Sequence, residues 1–260
     1  MIKSFCKYFL ILAFLGLSGC ASVPNCTNEN MEKEDVSALE SYNHAMFSVN
    51  QAIDKTIIRP VAKGYKKITN EFIRHRITNF FNNIEEPISA VNHVLQGEIS
   101  NSGQNIGRFV INTTVGGLGL FDVASKWGIE PKSTGFDETM ATWCVPDGPF
   151  VILPIIGPST PRAATGLVVD GYSSPIYWAA HENNGKDAMW VYYGATGLKY
   201  VNLMAENLSI LESLEEGSID YYETMKSAYL QNRTKIRACG QSQEVNDQSY
   251  DFDMDVDDEE

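Results

Sequence analysis

The apolar residues of this chain recur at spacings of three and four through most of its length. This spacing places them on one face of an α-helix, so it predicts amphipathic helices rather than strands. Three stripes show it most clearly: Leu39, Tyr42, Met46, Val49, Ile53 and Ile57; then Ile73, Ile77, Phe80, Phe81 and Ile84; then Leu198, Val201, Met204, Leu208, Leu211 and Leu214. We therefore predict an all-α domain over residues 35–238.

Proline and glycine mark the breaks in this pattern. Pro87 predicts the end of one helix and the start of another that finishes at Gly97. Pro60 suits a helix start or a kink, and Pro154 argues against a central strand in its apolar segment. The remaining predictions are helices over 98–115, 121–127, 161–170, 186–215 and 218–237, a glycine-rich irregular segment over 115–121, and an extended or hairpin-like excursion over 136–153.

The start of the chain has the pattern of a bacterial lipoprotein signal. Lys3 and Lys7 precede an apolar stretch from Tyr8 to Leu17, which is shorter than the about 20 residues of a bilayer-spanning helix. The stretch ends Leu17-Ser18-Gly19-Cys20, and this order resembles the lipobox. Two alternatives remain open, an ordinary secretory signal cut nearby and an anchor helix that is retained.

If Cys20 belongs to a lipobox, it defines the first segment boundaries of the chain. We predict that residues 1–19 are a cleaved signal peptide, that Cys20 carries the lipid anchor and that residues 20–34 form a tether. Ala21 follows the cysteine where many inner-membrane lipoproteins have Asp. Resemblance to that sorting rule implies the inner face of the outer membrane. No later apolar run reaches about 18 residues, so we expect no further conventional membrane-spanning helix.

Charge is unevenly distributed along this acidic chain, whose formal net charge is −13. Nine acidic residues and no Lys or Arg lie in its last twenty positions, so we predict a disordered acidic tail over residues 239–260. The acidic balance argues against a nucleic-acid partner. Residues 54–76 reverse the sign, with seven basic residues against two acidic ones. This stretch is either a membrane-surface helix or a solvated face, and its headgroup-contact candidates are Arg59, Lys63, Lys66 and Lys67.

Motifs for catalysis and for metal or cofactor binding are absent from the sequence. No nucleophile elbow, phosphate loop, dinucleotide fingerprint or paired-histidine zinc motif occurs. We therefore expect no enzyme, no cofactor and no metal. An oxidising periplasm permits a disulfide, but the spacing of Cys26, Cys144 and Cys239 does not select the pair.

An ordered set of short segments resembles the MlaA (VacJ) lipoprotein family over roughly residues 38–238. The segments are Asn43-His44-Ala45-Met46-Phe47-Ser48-Val49-Asn50, Arg59-Pro60-Val61-Ala62, Asn79-Phe80-Phe81-Asn82-Asn83-Ile84-Glu85-Glu86-Pro87, Val91-Asn92-His93-Val94-Leu95-Gln96-Gly97, Arg108-Phe109-Val110-Ile111-Asn112, Gly116-Gly117-Leu118-Gly119-Leu120-Phe121-Asp122-Val123-Ala124, Gly148-Pro149-Phe150-Val151-Ile152-Leu153-Pro154, Gly157-Pro158-Ser159-Thr160-Pro161-Arg162 and Asp170-Gly171.

The resemblance implies a fold and a function. It implies a ring-like bundle of amphipathic helices embedded in one membrane leaflet, with a polar central channel. Such a protein removes mislocalised phospholipids from the outer leaflet, passes them to a periplasmic MlaC-like carrier and associates with trimeric porins. An alternative from another class is a porin-associated scaffold that moves no lipid. A phospholipase, the third possibility, lacks a recognisable nucleophile.

Four polar residues stand in apolar sequence and are candidates for the channel or for stabilising the ring: Arg108, Asn112, Arg162 and Asp170. We expect them to pair with one another and stabilise the ring rather than to contact lipid. The apolar segments 115–121 and 150–156 are expected to face lipid. The family's gating loop corresponds to residues 136–149, where Asp137 and Ala141 replace two glycines and reduce the backbone freedom.

Overall fold

A computed structural model of the chain describes residues 29–182, 186–234 and 236. Its helices and strands are α1 (Glu29–Ile53), α2 (Arg59–Ile68), α3 (Glu71–Leu95), α4 (Ile99–Thr114), α5 (Val123–Lys126), α6 (Phe136–Thr142), β1 (Val151–Leu153), β2 (Gly157–Ser159), α7 (Pro161–Ser173), α8 (Pro175–Glu182), α9 (Lys186–Gly217) and α10 (Tyr221–Thr234). The predicted all-α class is confirmed. Among the described helices, none has the length and apolar character needed to cross a membrane.

The chain divides into two units, residues 1–41 and 42–260. In the first unit the described part is the beginning of α1, which starts at Glu29 and so includes the last residues of the predicted tether. The predicted signal peptide, Cys20 and the acidic tail over 239–260 lie outside the described residues. The second unit contains all the other elements.

The junction between α1 and α2 is a π-helical turn, Asp54–Ile58. The Arg59 backbone N–H donates to the carbonyl of Asp54, five residues earlier. Pro60 is the reason for this wider turn, because its ring has no N–H and would collide with the carbonyl four residues before it. Pro60 then lies in the first turn of α2, as its position in the sequence indicated.

Helix α3 continues through Pro87, so the predicted break at this residue is wrong. Asn70 caps the helix by accepting from the Ile73 N–H at 2.8 Å, and Gly97, at φ +80°, follows its end. A proline inside a helix costs about 3 kcal/mol. Helix α3 packs along α4 and buries apolar side chains on both sides of the proline, Phe81 before it and Ala90 after it, and this packing offsets the cost.

The excursion predicted over 136–153 divides into a helix and a hairpin. Residues Phe136–Thr142 form helix α6, which the sequence analysis missed, while β1 and β2 pair antiparallel with Ile152 opposite Pro158. Strand β1 is held by side chains of α1. Asn43 accepts from the Ile152 N–H at 2.8 Å and donates to the Phe150 carbonyl, and Asn50, two helical turns later, donates to the Leu153 carbonyl at 2.8 Å.

The glycine-rich segment after α4 is irregular, as predicted, and consists of tight turns. A Cβ on Gly116 would lie 2.2 Å from the Phe121 carbonyl oxygen, and a Cβ on Gly119 would lie 2.6 Å from the Asn83 side chain. Gly119 also has φ +87°, a conformation that other residues rarely adopt. Only glycine therefore permits this chain reversal against α3.

The long helix α9 packs against α2, α3 and α8. Small side chains permit this packing, since Ala62 of α2 and Ala205 of α9 are fully buried. Asn202 connects two of the neighbours, accepting from the Tyr65 hydroxyl at 2.8 Å and donating to Thr78 at 2.8 Å. Helices α3, α6, α7, α8 and α9 together surround the cavity described next.

Candidate functional site

A cavity of about 580 Å³ lies among α3, α6, α7, α8 and α9. Its volume is within the range of about 300–1,000 Å³ that is usual for small-molecule sites. One part of the lining is apolar and consists of Phe81, Ile84, Ile88, Leu167 and Ile176. The other part is polar and includes Glu85, Ser89, Ser133, Thr134, Glu138, Asp170 and Lys199. The lining is therefore amphipathic.

Among the described residues that line the cavity, acidic side chains outnumber basic ones, with three carboxylates and one lysine. Lys199 of α9 forms an ion pair with Glu85 of α3, and both side chains remain close to half exposed. Glu138 accepts from the Gly135 N–H at 3.0 Å. Asp170 accepts from the Phe136 N–H at 3.0 Å. The carboxylates exceed the cations, so the cavity carries an excess of negative charge.

Asp170 is the most constrained of these carboxylates. Burial raises the pKa of Asp170, hydrogen bonds from Phe136 and Asn92 oppose the shift, and the charges of Glu138 and Glu85 raise the pKa further. Gly135 makes room for this carboxylate, since a Cβ there would lie 2.5 Å from Asp170 Oδ2. The first residue of α6 is therefore held by a hydrogen bond to a side chain of α7.

Arg108 and Asn112 lie outside the described lining of this cavity, in a buried network between α3, α4 and α5. Arg108 donates to Glu86 at 2.6 Å and to Asp122 at 3.2 Å, and only 3% of its surface is exposed. Asn112 donates to Asp122 at 3.0 Å and accepts from the Val123 N–H at 2.9 Å. Burial raises the pKa of Glu86 more than its pairing with Arg108 lowers it. Each of these polar groups has a close partner.

Arg162 belongs to a second network, which joins α6, α7, α10 and the loop before β1. It donates to Asp137 at 2.9 Å and to the Val145 carbonyl at 2.8 Å. Arg233 of α10, which the sequence analysis missed, pairs with both Asp137 and Asp147. Burial raises the pKa of Asp147, but its hydrogen bonds with Arg233 and Thr160 and the charges of Arg233 and Arg162 together lower it below its ordinary value.

The expectation that Arg108, Asn112, Arg162 and Asp170 pair with one another is wrong for the contacts that the structure describes. Arg108 and Asn112 lie one turn apart on α4 and share Asp122 as their partner. Arg162 and Asp170 lie two turns apart on α7, and both contact the first turn of α6. Asp170 alone of the four lines the cavity.

The four headgroup-contact candidates lie on α2, on a different part of the molecule. Arg59 pairs with Asp54 at 2.6 Å and with Glu215 of α9 at 2.5 Å, and Lys63 pairs with Glu212 at 2.8 Å. Lys66 and Lys67 are exposed. Two of the four candidates are therefore engaged by acidic residues of α9.

Cys144 is disulfide-bonded. It follows α6 and has a positive φ of 64°. Its partner lies outside the described residues, as do Cys26 and Cys239 themselves.

Comparison with known proteins identifies the family of this chain. The model of the MlaA lipoprotein family matches residues 35–236. The chain belongs to the MlaA lipoprotein family. The family resemblance seen in the sequence is thus confirmed over residues 35–236.

Individual relatives agree with this family assignment. The intermembrane phospholipid transport system lipoprotein MlaA of Haemophilus influenzae is 34% identical over 227 residues, which are 85% of this chain and 86% of that protein. An uncharacterised protein of Rickettsia typhi is 40% identical over 157 residues, 60% of this chain, and this chain spans 62% of its length. A chain solved in work on the structural basis for maintenance of bacterial outer membrane lipid asymmetry matches with a TM-score of 0.65 and 30% identity, covering 76% of this chain and 97% of that one.

Sequence reasoning identified one of the four charged residues of the cavity. Glu85 was regarded as part of a helix break, and Glu138 as part of an irregular loop. Lys199 did carry a signal, because it is the only charged residue between 188 and 205. Because a lysine is rarely buried without a partner, a lone lysine in an apolar stretch of a helix is a candidate for an ion pair.

Proposed function

We propose that this chain is an outer-membrane lipoprotein that removes mislocalised phospholipids from the outer leaflet through the cavity between α3, α6, α7, α8 and α9. The observation that carries the proposal is the amphipathic lining of that cavity. Membership of the MlaA family and the name of the Haemophilus relative, a phospholipid transport lipoprotein, support it. The protein then hands the phospholipid to a periplasmic MlaC-like carrier and so maintains lipid asymmetry.

A phospholipid headgroup leaves water at a high cost unless polar groups replace its hydration. The polar residues of the lining, among them Lys199, Glu138 and Ser89, provide such groups, while Phe81 and Ile84 provide apolar contact for the parts of the lipid nearest the head. A purely apolar cavity would not replace the hydration of the headgroup, and a purely polar cavity would not contact the apolar part of the lipid.

The remaining assignments concern how the protein is held in place. We propose a lipid on Cys20, the periplasmic leaflet of the outer membrane as the location, and trimeric porins as partners. Apolar side chains at two turns support membrane contact, since Leu118, Ile155 and Ile156 are each more than half exposed.

On α2, Lys66 and Lys67 contact headgroups, whereas Arg59 and Lys63 stay with their carboxylates. We assign Arg108, Asn112 and Arg162 to framework stability, and we assign no catalytic, metal or cofactor role.

The test fills the cavity without disturbing the backbone. Gly171 lines the cavity, and a Cβ at this position meets nothing within 4 Å. We expect Gly171→Phe to lower the capture of phospholipid from vesicles, and its transfer to a carrier, at least about tenfold, equivalent to about 1.4 kcal/mol. Gly103→Phe is the matched control, because Gly103 is an exposed helical glycine of α4 with equally open surroundings.

Two results contradict the proposal. Equal capture by Gly171→Phe and Gly103→Phe shows that the lipid does not enter this cavity. Crosslinking to a porin, together with no capture by the unaltered protein, favours the scaffold that moves no lipid.

A further inference from the structure

The cavity combines one releasable cation with several carboxylates. Lys199 and Glu85 are 40% and 47% exposed, so their pair is reachable from the cavity. Ion pairs with this exposure contribute little to stability, so a stronger ligand can displace one partner. The phosphodiester of a phospholipid is such a ligand for Lys199.

Binding of a phosphate to Lys199 releases the carboxylate of Glu85. Glu85, Glu138 and Asp170 line the same cavity, and a Cβ on Gly135 would lie 2.5 Å from Asp170 Oδ2 and 3.3 Å from Glu138 Oε2. The charges of Glu138 and Glu85 also raise the pKa of Asp170. Glu138 keeps one hydrogen bond with Gly135, and Glu85 has no other ion pair among the described residues. A second cationic group is therefore required beside the phosphate.

We propose that the cavity selects phospholipids whose headgroup carries an ammonium group next to the phosphate, with Lys199 binding the phosphate and Glu85 and Glu138 binding the ammonium. The proposal rests on the proposed function, since it names the class of lipid that the same cavity admits. Phosphatidylethanolamine has this headgroup.

An anionic headgroup has no ammonium group to pair with the carboxylates. Phosphatidylglycerol brings the same phosphate with a neutral glycerol, so the charge of Glu85 is left without a partner when Lys199 turns to the phosphate. Like charges in a partly buried site repel more strongly than they do in water. The phosphate alone therefore does not compensate the excess of carboxylates in this lining.

The experiment is a competition between two lipids that differ only in the headgroup. The full-length protein, purified in detergent, is mixed at pH 7 with vesicles of equal amounts of phosphatidylethanolamine and phosphatidylglycerol that carry identical acyl chains. Mass spectrometry then gives the ratio of the two lipids bound to the repurified protein. We expect phosphatidylethanolamine to be enriched at least about fivefold, which corresponds to about 1 kcal/mol.

Variants assign that enrichment to the carboxylates. Glu85→Gln with Glu138→Gln should bring the ratio to within about twofold of the vesicle composition, since the amides keep the shape but lose the charge. Glu85→Gln alone, which leaves the hydrogen bond at the start of α6 intact, should give an intermediate ratio. Glu130→Gln is the control, because Glu130 is exposed and outside the cavity lining, and its ratio should equal that of the unaltered protein.

The outcomes separate this inference from the proposed function. Bound lipid in the ratio of the vesicles, or an enrichment that survives the double change, overturns the headgroup selection and leaves the transport proposal standing. Failure of the unaltered protein to bind either lipid contradicts the proposed function itself. Enrichment that depends on Glu85 and Glu138, and not on Glu130, supports the inference.

Discussion

The charges of the two arginine networks are buried and paired, whereas those of the cavity are accessible and incompletely paired. Arg108 and Arg162 are almost completely buried, and each is paired with two carboxylates of neighbouring elements. Lys199 is nearly half exposed and has one partner, in a lining that holds two further carboxylates. Matched and buried charges hold elements together, whereas unmatched and accessible charges are available to a ligand. The difference separates framework residues from site residues in a chain where both kinds are polar.

The largest effect on stability is expected from Arg108→Met. The change leaves the buried carboxylate of Glu86 and the partly buried carboxylate of Asp122 without their shared cation. Removal of one partner of a buried pair costs about 3–5 kcal/mol. Urea unfolding followed by circular dichroism measures the loss, and a loss below about 1 kcal/mol would show that the network is not a framework.

Arg233→Met should have the next largest effect. Asp137 and Asp147 keep Arg162 as a partner, so we expect a loss of about 2–3 kcal/mol, in the range for hydrogen bonds to charged groups. Hydrogen exchange should increase in α10 and in residues 143–150 and stay unchanged in α4. Uniform faster exchange across the chain contradicts the local role.

A pH series distinguishes the two kinds of carboxylate. The folded-state pKa of Asp147 is below its ordinary value of 3.8, so its stabilising effect is present above that pH and is lost as the pH falls. The pKa of Asp170 is raised, so its contribution is present at low pH and is lost as the pH rises through the folded-state pKa. Asp147→Asn should cost about 1.5 kcal/mol at pH 7, and Asp170→Asn less.

Thermal unfolding at pH 3 to 7 checks this ordering. Asp147→Asn should also flatten the decline in stability below pH 4, because the titrating group is gone. A greater loss from Asp170→Asn than from Asp147→Asn at pH 7 contradicts the assignment of Asp170 to the cavity.

Lys199→Met should have the smallest effect on stability. A half-exposed ion pair contributes about 0–1 kcal/mol, so the unfolding transition should barely move. The capture of phospholipid should nevertheless fall, since the phosphate loses its cation. Unfolding and lipid capture are measured on the same preparation, and a stability loss as large as that of Arg108→Met removes the distinction between framework and site.

The sequence pattern predicted most helices because their apolar faces repeat locally, as in the stripes from Leu39 and from Leu198. It did not predict that α3 passes through Pro87, because the packing along α4 that overrides the proline involves residues distant in the chain. Helix α6 was missed for a similar reason. Its start depends on Asp170, which lies 34 residues beyond Phe136.

The site was less accessible to sequence reasoning than the fold. Asp170 was recognised because it is a polar residue in an apolar segment. Glu85 and Lys199 are separated by 114 positions, and only the packing of α3 against α9 brings them together. A cavity formed by five helices has no local pattern, so its members appear as ordinary surface charges along the chain.

The most direct test of the account is to locate bound lipid on the protein. A phospholipid with a photoreactive group close to its head is bound to the purified protein, irradiated, and the modified peptides are identified by mass spectrometry. We expect adducts on the cavity-lining parts of α7 and α9, around residues 167–174 and 192–199, and their loss in Gly171→Phe but not in Gly103→Phe. Adducts confined to the exposed turns near Leu118 and Ile155, unchanged in Gly171→Phe, would contradict it.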